Sequence, residues 1–181
     1  HAQGALLVAA AGNDRGEDMV AYPARFENAI AVSATTSFDT LAGLSNYGLE
    51  IDLSAPGLNI PSTSTVWTVN GPTYEYSLPN RGTSVAAPHV AGAAALLRSF
   101  RPTLTAKDIR YLLETTADDL GQPGRDDRFG WGRLNVFSAL QAAAQCVNIV
   151  GSDPPDGSID ARQPFELDHS RPTGWRSLKL T

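Results

Sequence analysis

Ser84 and Asn13 are the residues of this chain whose type and setting best suit chemistry on a carbonyl group. Ser84 follows Gly82-Thr83 and opens the small, mostly apolar run Val85-Ala86-Ala87-Pro88-His89-Val90-Ala91-Gly92-Ala93-Ala94-Ala95-Leu96-Leu97. The run predicts a buried helix from about Ser84 to Ser99, with the serine in its first turn. There the helix dipole and the unpaired backbone N–H groups favour negative charge. Acyl transfer needs that field beside the attacking atom. Serine is equally a preferred cap of a core helix, and on this segment alone both readings stand. Asn13 closes Ala9-Ala10-Ala11-Gly12-Asn13 at the C-terminal end of an apolar run. Ligand sites of open α/β sheets lie outside the carboxyl ends of strands. A turn asparagine that tolerates left-handed backbone is the plainer reading of that position.

The elements that must hold these residues are legible from patterning. Gly4 to Ala11 is continuously apolar and predicts a fully buried, parallel strand. Ala29 to Ala34 predicts a second and Glu50 to Ser54 a short third. Residues 61–83, rich in Ser, Thr, Asn, Gly and Pro, read as a surface excursion of hairpin character. Thr105 with Asp108 has the spacing of a capping box, Asp replacing the usual Glu. Ile109, Leu112 and Leu113 then recur at helical spacing. Asn135 is expected to cap a last amphipathic helix running to about Gln145. Buried strands alternating with helices imply an α/β sheet covered on both faces. Gly151-Ser152-Asp153-Pro154-Pro155-Asp156-Gly157 reads as a turn or linker. It divides a main domain, 1–150, from the start of a β-rich module, 151–181, whose entry resembles that of Ig-like sandwich domains.

Composition narrows the partners. The chain has 181 residues, 42% hydrophobic and 18% charged, an ordinary globular balance rather than a disordered one. A net charge of −5 without any Lys/Arg cluster argues against nucleic acid. The longest apolar runs are far short of a membrane span. One cysteine, Cys146, excludes an internal disulfide and a thiolate metal cluster. The alternation from Trp175 to Leu180 reads as a strand in progress, and the chain is expected to be an internal piece of a longer protein.

Ala-Ala-Gly-Asn at one strand end and Gly-Thr-Ser-x-Ala-Ala-Pro-His-Val-Ala-Gly at one helix start resemble the subtilisin-like serine proteases (subtilases, peptidase family S8). Tyr22-Pro23-Ala24, Leu44-Ser45-Asn46-Tyr47-Gly48, Ser54-Ala55-Pro56-Gly57 and Phe129-Gly130-Trp131-Gly132-Arg133-Leu134-Asn135 extend the resemblance over about residues 1–146. It implies the C-terminal half of a three-layer catalytic domain, with a mostly parallel sheet flanked by helices. Ser84 would be the nucleophile. Asn13 would donate its side-chain N–H to the oxyanion beside the backbone N–H of Ser84. Ala10, Ala11, Gly12, Ala21, Gly82 and Thr83 would bind substrate. A pocket walled by Ala and Gly is expected to accept large apolar side chains before the scissile bond. Polypeptides would be the substrates and secretion the location. No cofactor is required, but Asp52 with the carbonyls of Ala24, Phe26 and Ala29 matches positions where some relatives hold a calcium or monovalent ion.

Two departures qualify the resemblance. Val85 stands where the family usually has an oxidisable methionine, so resistance to peroxide is expected. The aspartate and the His-Gly-Thr histidine that would activate the serine are absent. His1, His89 and His169 each sit in the wrong context, and the fragment alone is expected to be inactive. The base would come from the N-terminal half of the same domain. Two rivals remain open. One is an α/β-hydrolase using Ser84, Asp126 or Asp127, and His169. The other is a catalytically inactive binding module of a secreted multidomain protein.

Overall fold

The computed structural model describes residues 4–145 together with two short strand segments, 165–167 and 178–180. Three parallel strands make the central sheet: β1 (Leu7–Ala10), β2 (Ala29–Thr35) and β3 (Leu53–Pro56), in the order β1-β2-β3. β2 is buried along its whole length because it lies between the other two and is covered on both faces. Its residues alternate between two clusters, as the period of a strand requires. Ile30, Val32 and Ala34 face a core built with the helices, while Ala29 and Ala31 face Ala9, Ala11, Val20, Ala24 and Ile51.

The strand expected to be fully buried at Gly4–Ala11 is shorter and only partly covered. β1 is a sheet edge, and Leu7 is half exposed. The third strand starts three residues and ends two residues later than its pattern suggests, at Leu53–Pro56 rather than Glu50–Ser54. Asp52 ends its approach by turning its carboxylate onto the Ala31 N–H.

α1 (Thr83–Phe100) packs Ala86, Val90, Ala93 and Leu97 onto the sheet, the i, i+4, i+7, i+11 stripe of an amphipathic helix. α2 (Ala106–Thr115) begins with the reciprocal capping box read from Thr105 and Asp108. α3 (Val136–Gln145) starts where Asn135 Oδ1 accepts the Ser138 N–H. Both helices add their apolar faces to the same core. A parallel sheet flanked by helices is the α/β architecture expected.

The excursion before α1 is a long antiparallel hairpin, β4 (Ile60–Thr68) and β5 (Gly71–Asn80), a two-stranded sheet separate from the core. Its base is tied to the start of α1 through Gly82 N–H to Gly57 O at 2.8 Å. β6 (Phe165–Leu167) and β7 (Leu178–Leu180) pair antiparallel. The boundary read at 151–157, Cys146, His1 and His169 lie outside the described residues.

Candidate functional site

The C-terminal end of β1 and the N-terminus of α1 meet around Thr83. Ala11 continues β1 by donating to Val32 O, and Gly12 then turns the chain with φ +105°, a conformation that favours glycine. Asn13 follows, exposed to solvent. Its side-chain oxygen is fixed from α1. Oδ1 accepts the Thr83 backbone N–H at 2.9 Å and lies 3.1 Å from Thr83 Oγ1. That hydroxyl, fully buried, also accepts the Gly12 N–H at 3.1 Å. Gly82 has φ +132°, and a Cβ on it would press on the Asn13 amide at 3.3 Å. Glycine at 82 therefore serves both the turn and the close approach of Asn13.

With Oδ1 held by Thr83, the Asn13 Nδ2 end has no hydrogen-bond partner among the described residues. The first turn of α1 leaves a matching donor. Thr83 N–H goes to Asn13, while Val85 and Ala86 N–H both go to Gly82 O. The N–H of Ser84 is left over, an orphan of the kind every helix start carries. Ser84 is the second residue of the helix rather than its cap, since Gly82 holds that place. The plain capping reading of this serine therefore fails. Its side chain is exposed and makes no hydrogen bond among the described residues. An exposed hydroxyl beside two unpaired N–H donors at the positive end of an 18-residue helix can stabilise an anion formed where that oxygen attacks.

Of the residues read as lining a substrate pocket, Gly12 and Ala21 are brought together. A Cβ on Gly12 would meet Ala21 Cβ at 3.3 Å, and Ala21 N–H donates to Ala11 O. Ala10 and Ala21 are partly buried, whereas Gly82, Thr83 and Ala11 are buried, Ala11 wholly so with its side chain in the apolar cluster beneath the loop. A hollow of about 610 Å³, lined by Asp39, Leu58, Asp118, Arg133 and Asn135 among others, contains none of these residues.

No described histidine can serve Ser84. His89 sits one turn further along α1, its Nδ1 2.9 Å from the Val85 carbonyl, so that nitrogen donates to the helix backbone. Asp126, the carboxylate considered for a hydrolase triad, accepts three backbone N–H groups, from Gln122, Arg128 and Phe129, and shapes its own loop. The strand before Ser84 belongs to the separate antiparallel hairpin, not to the parallel sheet from which a nucleophile elbow rises. Both observations weigh against that rival.

At the opposite end of the sheet the structure gathers Asp52, Arg110 and Glu114. Arg110 Nη2 lies 2.7 Å from Asp52 Oδ1 and its Nε 2.7 Å from Glu114 Oε1, while Nη1 donates to the carbonyls of Glu27 and Ala29. Burial pushes the Asp52 carboxyl above the usual carboxylate range despite Arg110 and the Ala31 N–H, and burial does the same to Glu114. Burial works against the Arg110 charge, yet Asp52 and Glu114 hold it protonated. Of the donor set read as a possible ion site, all but the Ala24 carbonyl take hydrogen bonds among the described residues. Asp52 Oδ1 and the Ala29 carbonyl take Arg110, Asp52 Oδ2 takes Ala31 N–H, and Phe26 O takes Ala29 N–H. Arg110 supplies the positive charge beside Asp52 in this arrangement. Among the described residues no group of three or more His, Cys, Asp or Glu side chains is placed to hold a metal ion. Arg110 was not singled out from sequence. Its i, i+4 spacing to Glu114, beside the buried Ile109, was the available signal.

Comparison with known proteins places the chain. The model of the subtilase family matches residues 1–132. The minor extracellular protease Epr of Bacillus subtilis (strain 168) is 38% identical over 170 residues, covering 91% of this chain and 25% of its own length. Subtilisin DY of Bacillus licheniformis is 40% identical over 144 residues, 78% of this chain and 48% of its own. Among solved structures, a lanthipeptide protease superposes with a TM-score of 0.64 at 27% identity, covering 78% of this chain and 51% of that one. The chain spans about half the length, or less, of the curated relatives it matches.

Proposed function

The chain belongs to the subtilase family, and from that premise we propose that it carries the nucleophile and the oxyanion hole of a secreted serine endopeptidase. Ser84 Oγ attacks the carbonyl carbon of a scissile peptide bond. The carbonyl oxygen becomes an oxyanion held by Asn13 Nδ2 and the Ser84 N–H. Collapse of that intermediate expels the amine and leaves an acyl group on Ser84, which water then hydrolyses. The observation that carries the reading is Thr83 holding Asn13 Oδ1 by its backbone N–H. That bond leaves the donating end of the amide unpaired next to an exposed serine.

Attack needs a base, and a carboxylate to orient it. We assign both to a part of the same domain that packs against β1 and α1. Two features support such a neighbour. β1 has no strand beside its outer edge among the described residues. Ala91, Gly92, Ala95 and Leu96 form an exposed apolar stripe on α1. Polypeptides are the substrates, and the name of the extracellular relative supports secretion. No helix of the described residues is long and apolar enough to cross a membrane. The reading calls for no metal ion.

The test is hydrolysis of a chromogenic peptide by the full-length protein. Turnover that Ser84→Ala abolishes is the expected outcome. An inactive full-length protein would favour the binding-module reading, and activity surviving in Ser84→Ala would overturn the assignment.

A further inference from the structure

The loop Gly12–Ala21 carries the oxyanion donor and two pocket residues, yet it belongs to no helix or strand and its side chains are mostly exposed. Its ends are joined by Ala21 N–H to Ala11 O at 2.8 Å. Its middle is held by the loop around Asn46: Arg15 N–H donates to Leu44 O at 3.2 Å, Tyr47 N–H donates to Gly16 O at 3.1 Å, and Asn46, wholly buried, makes the largest set of bonds. The backbone N–H of Asn46 donates to Gly12 O at 2.9 Å. Its Oδ1 accepts Asp14 N–H at 2.7 Å and Gly16 N–H at 3.3 Å. Its Nδ2 donates to Met19 O at 2.8 Å and to Asp14 Oδ2 at 3.0 Å. A primary amide has two donor hydrogens and two acceptor lone pairs. All four are used here, and all four partners lie in the one loop. The fit is tight, since a Cβ on Gly12 would collide with Asn46 Nδ2.

Asn46 grips the peptide units on both sides of Asn13, Gly12 O before it and Asp14 N–H after it. We infer that Asn46 is a positioning residue of the proposed reaction, fixing the backbone from which the Asn13 amide reaches the oxyanion. Thr83 holds the far end of the Asn13 side chain and Asn46 holds its base. The amide is thereby fixed from two directions without any charged group at its tip. This inference rests on the reading of Ser84 and Asn13 given above.

The test uses the full-length protein. Labelling of the wild type at Ser84 by a fluorophosphonate comes first, and its failure counts against the site itself. Asn46→Asp then keeps the shape and the two Oδ1 contacts. It replaces the donor nitrogen with an oxygen that faces the Met19 carbonyl and the Asp14 carboxylate. Misplacement of a catalytic group by about 1 Å costs about 100-fold, so kcat and the labelling rate should each fall by about that factor, with KM changed far less. The exchange Asp14→Asn/Asn46→Asp returns a donor to the pair and should recover about tenfold of the loss, by the same sensitivity to position. A labelled wild type whose Asn46→Asp variant keeps kcat within a few-fold would overturn the inference. So would an exchange variant that regains thermal stability without regaining kcat, because that is what a merely structural amide would do.

Discussion

The two ends of one small sheet are built in opposite ways. At the N-terminal end of β2 and β3, Asp52, Arg110 and Glu114 form an ionic cluster in which charge meets charge. At the C-terminal end, Gly12, Asn13 and Thr83 form a neutral network of amides and a hydroxyl, and two donors are left unpaired. The first arrangement joins α2 to the sheet and the loop before β2. The second holds donors in place while leaving them open to a ligand. A charged group at the second end would have bound counter-ions or salt-bridge partners in the resting state. In the proposed reaction, neutral dipoles fixed by their neighbours meet a charge that appears only at the transition state, without reorganising. Substitutions at one end should therefore change rate with little effect on folding, and those at the other end should do the reverse.

The sharpest break is Ser84→Ala, which should reduce peptide hydrolysis by the full-length protein to background while leaving its melting temperature unchanged. A calorimetric scan beside the activity assay checks both halves. Asn13→Ala comes next. Loss of the amide donor in subtilisin costs about 2.7–4 kcal/mol of transition-state stabilisation, and that value is borrowed for this position. It should be visible in kcat with KM nearly constant. Thr83→Val keeps the shape and the backbone N–H but removes the hydroxyl. That hydroxyl has one proton, which goes either to Asn13 Oδ1 or to Gly12 O, 3.3 Å away. The expected fall in kcat is smaller, about fivefold, one neutral hydrogen bond being worth about 1 kcal/mol.

Arg110→Met probes the other end. It should leave kcat near normal and destabilise the fold by about 3 kcal/mol, as expected when one partner of a largely buried pair is removed. Its pH dependence has a definite sign. A carboxyl whose pKa rises on folding binds its proton more readily in the folded state. Its contribution to stability is full below its unfolded pKa, near about 4, and is lost as pH rises through the folded value. Asp52 is raised by burial, and removing Arg110 raises it further. Denaturant titrations should then show a larger deficit for Arg110→Met at pH 7 than at pH 4. A deficit equal at both would mean that Asp52 and Arg110 are not coupled.

The smallest effect concerns oxidation. Met19 is the chain's single methionine and is half exposed, but Val85 occupies the position beside Ser84. Peroxide should oxidise Met19 with little loss of activity, a result read by peptide mapping and assay together.

Much of the Ser84 and Asn13 end was legible in the sequence because its signals are local. Gly82-Thr83-Ser84 opening an apolar run and Gly12-Asn13 closing one place a helix start and a strand end, and the capping box at Thr105 marks α2. What escaped depends on contacts between distant segments. The bounds of the third strand escaped, since Glu50 to Ser54 reads as the strand while β3 starts at Leu53 and runs on through Ala55 and Pro56, set by its pairing with β2. Arg110 reads as a solvated helix charge until α2 docks on the sheet. Asn46 reads as a loop polar residue until the loop from Gly12 to Met19 closes over it. Nothing in the neighbourhood of either residue announces partners so far away in the chain.

The most direct measurement is the second-order rate at which a fluorophosphonate reacts with the full-length protein and with its Asn13→Ala variant, with the adduct located by mass spectrometry. A single adduct on Ser84, forming about 100-fold more slowly in the variant, is the result predicted for an oxyanion hole made of Asn13 Nδ2 and the Ser84 N–H. Equal rates in the two proteins, or an adduct on any other residue, would contradict it.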